Sequence, residues 1–355
     1  MDKFRIDSHK LIYHVPRVND WLKGKIIYPI YMEISPSGAC NQRCTYCGLD
    51  FMEYKPRYLK TDILKRRLSE LSTLGLKSIM YAGEGEPFLH QSIVEIIKHT
   101  KKSGIDIAIT TNGVLLKKEI IDNILSDIEW IKVSINGATK ETYARISQCK
   151  PDNFKLVIEN MTYAAQVKRD KDYSCTLGMQ LLLLPDNYHE AVALAKLARD
   201  IGMNYLVIKP YSQHPQSKTK RYSAIEYSQY EYLWDELKEL DNDDFSVIFR
   251  INTMRKWDKA DKHYSRCLAL PFWSYIDAGG NVWGCLEYLG NDKFLYGNIY
   301  EQTFKEIWQG EKRLKSLSWV GENMDASKCR INCHMDEINK YLWRLKSPPE
   351  HVNFI

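Results

Sequence analysis

The chain has no apolar run near the roughly 20 residues that a membrane-spanning helix needs. A membrane partner is therefore not expected. The first ten residues, MDKFRIDSHK, are polar and charged and lack the apolar centre of a secretory signal. A cytoplasmic location is the expectation. Charge of one sign is also scarce: 50 basic against 45 acidic side chains leave a net +5. That excess is too small to argue for nucleic acid. Internal repeats and low-complexity segments are absent. Aromatic residues reach 12%, with 23 Tyr, which excludes a disordered chain. Nine cysteines in a chain without a secretory signal read as metal ligands before disulfides, and their odd number counts against complete pairing. At 355 residues the chain is long enough for one full domain and a smaller one.

Three cysteines stand in the run Cys40-Asn41-Gln42-Arg43-Cys44-Thr45-Tyr46-Cys47. Three thiolates can hold three corners of a four-iron four-sulfur cluster and leave the fourth iron open to a small molecule. A structural zinc site usually needs four ligands. No further Cys or His lies close by, and the next His downstream is His90. The Cys-x3-Cys-x2-Cys spacing, with Tyr46 before the last cysteine, resembles the radical S-adenosylmethionine (AdoMet) superfamily. The resemblance implies that AdoMet chelates the open iron through its amino and carboxylate groups.

Between residues 28 and 210, short β-branched runs alternate with amphipathic stretches of helical period. That pattern predicts a parallel sheet with crossover helices. Strands are expected at 31–34, 78–82, 106–110, 130–135, 176–184 and 205–209. Helices are expected at about 61–74, 92–102, 117–126, 154–168 and 189–200. The fold class is α/β: a partial (β/α)6 TIM-like barrel followed by a small cysteine-rich α+β module. The reading divides the chain into an N-terminal extension (1–27), the barrel (28–210), a connection with a helix near 224–240 (211–259), the module (260–340) and a tail (341–355). In such barrels the chemistry sits at the C-terminal ends of the strands. The cysteine triad directly follows the first strand.

After the second strand comes Gly83-Glu84-Gly85-Glu86-Pro87. Glycine there lets a ligand approach the main chain, and a carboxylate can accept hydrogen bonds from an ammonium group. The run resembles the family's Gly-Gly-Glu segment, which holds the AdoMet amino group, with Glu84 where glycine is usual. Asn112 follows the third strand; Ser134 and Asn136 end the fourth. By resemblance the last two would meet the carboxylate or ribose of AdoMet. Gln180, polar amid an apolar strand, is a candidate ribose ligand or a satisfied core side chain. Lys209, Tyr211, Gln213 and His214 follow the sixth strand, where the family touches adenine and substrate; solvated loop is the alternative.

A second set comprises Cys267, Cys285, Cys329 and Cys333. The run 275–283 between the first two reads as a hairpin with a Gly-rich turn. On a helix, Cys329 and Cys333 would share a face. Four thiolates suit either a closed cluster or zinc, since residue types alone do not choose the metal. With Gly297-Asn298-Ile299, Phe304, Ile307 and Trp308, this stretch resembles the SPASM/twitch extension of radical AdoMet enzymes. The resemblance implies a second, auxiliary [4Fe–4S] cluster. Cys149 and Cys175 remain. Either suits a buried small hydrophobe; Cys149, near the barrel mouth, is also a candidate hydrogen donor.

The resemblance implies an enzyme with two [4Fe–4S] clusters and AdoMet, fed by an electron donor such as flavodoxin or ferredoxin. A 5′-deoxyadenosyl radical would take hydrogen from a carbohydrate-like small molecule, giving dehydrogenation or epimerisation. Two alternatives stand beside it: modification of a ribosomally made peptide, and a non-catalytic iron–sulfur or zinc scaffold. The short segment before the first strand weighs against a separate peptide-binding domain.

Overall fold

The computed structural model describes residues 8–259, 262 and 264–354. Ten strands form one sheet: β1 (Tyr31–Ile34), β2 (Ser78–Tyr81), β3 (Asp106–Thr111), β4 (Trp130–Ser134), β5 (Thr176–Leu183), β6 (Tyr205–Pro210), β7 (Ser246–Phe249), β8 (Trp273–Ile276), β9 (Asn281–Trp283) and β10 (Leu295–Asn298). Their order is β10-β9-β8-β1-β2-β3-β4-β5-β6-β7. Strands β1 to β7 pair in parallel with their sequence neighbours. Six of the seven lie where the hydrophobic pattern puts them; β7 is an addition. The module then joins the same sheet, because β8 pairs in parallel with β1, Tyr31 opposite Trp273 through Ile34 opposite Ile276. Strands β8, β9 and β10 form an antiparallel meander.

Alternation along each strand gives the barrel two unlike faces. Met32, Ile34, Ile79, Ile107, Ile131, Leu177 and Leu206 point outward and are fully buried. Crossover helices cover them. In Thr61–Thr73 the buried residues are Leu64, Leu68 and Leu71, spaced by four and three as one helical face requires. The inner face is polar. It carries Glu33 on β1, Lys132 and Ser134 on β4, Gln180 on β5 and Lys209 on β6. The parallel register sets Ser134 opposite Gln180, and Leu182 opposite Lys209.

Two local expectations differ from the structure. The segment near 224–240 is not one helix: a 3-10 turn, Ser228–Tyr230, precedes the short helix Leu233–Lys238. Cys329 and Cys333 do not share a helical face either. They flank a turn between the 3-10 segment Ala326–Lys328 and the helix Asp336–Lys346.

The hairpin β8–β9 turns on Asp277, which is 1% exposed. Its carboxylate accepts hydrogen bonds from the backbone of Gly279 and Asn281, from Asn281 Nδ2 and from Trp283 Nε1, all between 2.8 and 3.0 Å. Gly280 takes φ +84° there, a conformation that favours glycine. Removing the carboxylate strands four donors in a buried turn. Asp277→Ala should lower stability by about 3 kcal/mol, read by urea denaturation of the anaerobic protein.

Candidate active site

The cysteine triad occupies the loop after β1, and that loop stacks on the Gly-Glu segment after β2. Gly85 makes the stacking possible: a Cβ there would lie 2.2 Å from the Ala39 carbonyl oxygen and 2.4 Å from that of Ser37. At this contact the Glu86 backbone N–H donates to the Ala39 carbonyl at 2.8 Å. The far side of the loop rests on the helix Lys140–Ser147. Arg43 and Thr45 donate backbone N–H groups to Ser147 and Ile146, and Gln42 Nε2 donates to Tyr143 Oη at 2.7 Å.

The three thiols are half-buried and feel one another's charge. Burial, then Glu86 and Cys47, push Cys40 up to about 11. Burial, then Cys47, Cys40 and Cys149, push Cys44 up as well. Three thiolates are therefore unfavourable here without a compensating cation, which is the condition that iron ligation relieves. By the chemistry of its donors, the loop fits a cluster.

The acidic residues beside it are committed to the fold. Glu84 Oε2 accepts from Arg57 Nη2 at 2.8 Å, and Oε1 accepts from the Ala278 backbone at 2.7 Å. Glu86 Oε1 accepts from Thr111 Oγ1 at 2.6 Å and Oε2 from the Asn112 backbone at 2.8 Å. Asn112 Nδ2 in turn donates to Asn41 Oδ1 in the cysteine loop at 2.6 Å. Asn136 donates through Nδ2 to Tyr46 Oη at 2.6 Å and accepts from the Leu182 backbone at 2.7 Å. These contacts join the ends of four strands to the loop.

A cavity of about 930 Å³ opens over the barrel. Cys44, Tyr46, Cys47, Gly83, Gln180, Lys209 and Tyr211 line it; so do Arg330 and Cys333 of the module. Of the residues expected at the AdoMet site, Tyr46, Gly83 and Gln180 line this cavity. Cys149 lies close enough to Cys44 to act on its charge. Its Sγ donates to the Lys150 carbonyl oxygen at 3.6 Å. Cys175, just before β5, is buried. His90 is a structural residue whose Nε2 contacts the Leu59 carbonyl oxygen at 2.7 Å. His214 is buried behind the wall, stacked on Phe51 at 5.0 Å. Gln213 binds the carbonyl oxygens of His214 and Thr219. The cationic wall residues Arg250 and Arg330 escaped sequence reasoning, because no motif carries them.

Of the second cysteine set, Cys333 lines the same cavity. Cys267, Cys285, Cys329 and Cys333 are all half-buried, packed against an apolar cluster with Trp273, Leu289, Phe294 and Met335. Burial, then Glu287 and Cys267, push Cys333 up to about 12. Asn339 Nδ2 donates to Cys267 Sγ at 3.5 Å. Among the described residues, no three His, Cys, Asp or Glu side chains converge on one ion's position.

The sequence pattern of the Radical SAM superfamily matches residues 34–198, and that of an iron-sulfur cluster-binding domain, SPASM, matches residues 267–334. The chain belongs to the radical SAM superfamily. AdoMet and two [4Fe–4S] clusters are its cofactors. It is 28% identical over 201 residues to the GTP 3′,8-cyclase of Chlorobaculum tepidum, covering 55% of this chain and 58% of that one. It thus spans little more than half the length of that relative. It is 25% identical over 327 residues to the AdoMet-dependent heme synthase of Methanosarcina barkeri, covering 86% and 87%. Among solved structures, Streptococcus suis SuiB bound to S-adenosylmethionine superposes with a TM-score of 0.68 at 18% identity, covering 94% of this chain and 79% of that one. Native anSMEcpe with bound AdoMet gives 0.60 at 19% identity, covering 90% and 95%. Both likenesses are of fold. No helix among the described residues is long and apolar enough to cross a membrane.

Glu190 braces the loop after β4. Its carboxylate accepts from the Ala138 backbone at 2.6 Å, the Thr139 backbone at 3.1 Å and Thr139 Oγ1 at 2.8 Å. Burial raises its pKa, but these donors together with Thr142 outweigh burial and leave it below the ordinary 4.5. The stability it lends is complete above that value and is lost as pH falls through the depressed folded pKa. Glu190→Gln should therefore flatten the stability curve below pH 4.5, measured by urea titrations at a series of pH values.

Proposed function

We propose that the chain is a radical SAM oxidoreductase acting on a small molecule held between two clusters. The observation that carries this reading is one cavity whose wall includes Cys44 and Cys47 of the first cysteine set and Cys333 of the second. Bound AdoMet, with the cluster on Cys40, Cys44 and Cys47, supplies a 5′-deoxyadenosyl radical that abstracts hydrogen. The protein binds and orients. Tyr46, fixed by Asn136, and Gly83, free of a side chain, form the wall nearest the triad. Gln180 offers an amide from β5. Glu84, Gly85, Glu86, Asn112, Ser134 and Asn136 complete the set that would meet AdoMet, and Glu84, Glu86, Asn112 and Asn136 also tie the surrounding loops together.

Cys267, Cys285, Cys329 and Cys333 would hold the auxiliary cluster within electron-transfer reach of the same space. A cluster held there would supply an electron acceptor, so that a substrate radical losing one electron to it and one proton to solvent would leave as a dehydrogenated product. The amide and hydroxyl groups of Gln180, Ser212, Asn252 and Thr253 on the wall suit a polyhydroxylated molecule. They support oxidation or epimerisation at a carbinol carbon of a carbohydrate-like substrate. The nine unpaired cysteines favour a reducing cytoplasm, with flavodoxin or ferredoxin as electron donor.

Anaerobic reconstitution followed by dithionite and AdoMet should release 5′-deoxyadenosine. Cys40→Ala should release none. Iron should fall from about eight to about four per chain in Cys285→Ala, as expected for losing one of two four-iron clusters. A deuterated substrate of the right class should pass its label into 5′-deoxyadenosine. A wild-type sample with full iron that never cleaves AdoMet would defeat the proposal.

A further inference from the structure

The cavity wall is strongly one-sided in charge. It carries Lys209, Arg250, Lys256, Lys259, Arg330 and Lys340, and Arg255 at its edge, against the carboxylates of Asp336 and Glu337. Several of these cations are matched within the protein. Arg255 makes a two-pronged pair with Glu231 at 2.7 and 2.8 Å. Lys256 and Lys340 share Asp336, and Lys340 also holds Glu337 at 2.7 Å. Arg330 meets Glu287 at 3.1 Å. Lys209 is different. No described residue gives its ammonium a hydrogen bond or an ion pair. The charges around it are the cations of Lys132, Arg250 and Arg330 and one carboxylate, Glu33 on β1. Glu33 is already hydrogen-bonded by Tyr31 Oη at 3.0 Å. Burial, then Lys132, Arg250 and Arg330, push Lys209 well below its ordinary value.

An ammonium held among other cations, as Lys209 is, is costly without a counter-charge, and it persists where one arrives from outside. AdoMet is not that counter-charge. Its sulfonium and ammonium outweigh its single carboxylate, so its binding adds to the positive excess. A second observation points to a ligand at the same place. Asn332 lines the cavity two residues after Arg330, and its buried Oδ1 and Nδ2 are both without hydrogen-bond partners. A small turn of this side chain toward the cavity would let a polar group of a ligand satisfy it. Arg330 is held for the purpose: Nε donates to Ser212 Oγ at 2.6 Å and Nη2 to the Ser212 carbonyl oxygen at 2.7 Å. A guanidinium has five N–H donors in a fixed fork, so this anchoring leaves donors over for an incoming oxyanion.

We propose that the substrate is an organic anion whose carboxylate or phosphate group docks against Lys209, Arg330 and Asn332, between the two cluster sites. This rests on the reading of the cavity as the substrate chamber. It narrows that reading from polyhydroxylated molecules in general to acidic ones. The anionic end would sit toward the module, leaving the rest of the molecule to extend toward the triad, where hydrogen is abstracted.

The test uses the full reconstituted chain with AdoMet bound. Isothermal titration with pyrophosphate, glutarate and neutral myo-inositol compares a phosphate, a carboxylate and an uncharged polyol. At least one anion should bind at least about tenfold more tightly than inositol, the worth of one charge-assisted hydrogen bond. Preference for pyrophosphate or for glutarate identifies the acidic group. Lys209→Met should weaken that anion about tenfold, Lys209→Arg should restore it, and Asn332→Ala should weaken it independently. Equal binding of inositol, absence of anion binding, or unchanged anion affinity in both Lys209→Met and Asn332→Ala would overturn the inference. Dithionite added to the same wild-type sample separates the two readings. Release of 5′-deoxyadenosine without anion binding removes only the acidic substrate; no release removes the radical enzyme itself.

Discussion

The parallel pairing of β8 with β1 is the constraint on which the rest of the site depends. Strand β1 delivers the cysteine triad from its C-terminal end. Strand β8, bonded beside it over Tyr31–Trp273 to Ile34–Ile276, feeds the hairpin that leads to Cys285. Backbone hydrogen bonds leave little freedom in that register, because a slip of one residue would turn Met32 and Ile34 from the core to the barrel interior. Glu84 reinforces the junction from the loops. One oxygen of its carboxylate holds Arg57 and the other the Ala278 backbone of the module. The distance between the two sulfur sets is thus fixed by a sheet and a buried carboxylate, not by a flexible linker.

Such a frame explains why the motif residues behave as they do. Glycine at 85 is needed because two backbones touch there, and the carboxylate of Glu86 is consumed in tying Thr111 and Asn112 to that contact. These contacts support the cysteine loop. The wall that a ligand meets is made by fewer residues: Tyr46, Gly83, Gln180 and the basic groups beyond them.

The legibility of the chain followed the range of its interactions. Six strands were readable because each is a short β-branched run followed by a helix with its own apolar stripe. Strand β7 was hidden, since its four residues follow Asp241-Asn242-Asp243-Asp244, a run that reads as loop. The helical reading of Cys329 and Cys333 relied on spacing alone. The structure ends the preceding 3-10 turn at Lys328 and starts the next helix at Asp336, so the cysteines fall between them. The basic wall was beyond any local pattern. Arg330 is positioned by Ser212, 118 residues away, and Lys209 takes its character from Glu33, Lys132 and Arg250, each on a different segment.

That dispersion has a physical consequence for how the barrel works. Its outer face is continuous hydrophobic core, so stability does not need the inner face to be apolar. The inner face is free to hold Glu33, Lys132 and Lys209, although burial drives Lys132 down to about 8. Each such charge weakens the empty fold and strengthens any complex that supplies its complement, because the low dielectric that penalises an unpaired charge also magnifies a paired one. Around the triad the same logic runs with the opposite sign. Crowded thiols resist ionisation in the absence of a metal cation, as crowded lysine amines resist protonation in the absence of an anion. One cavity wall thus carries both crowded thiols and crowded basic groups, and each gains from a partner of the opposite charge.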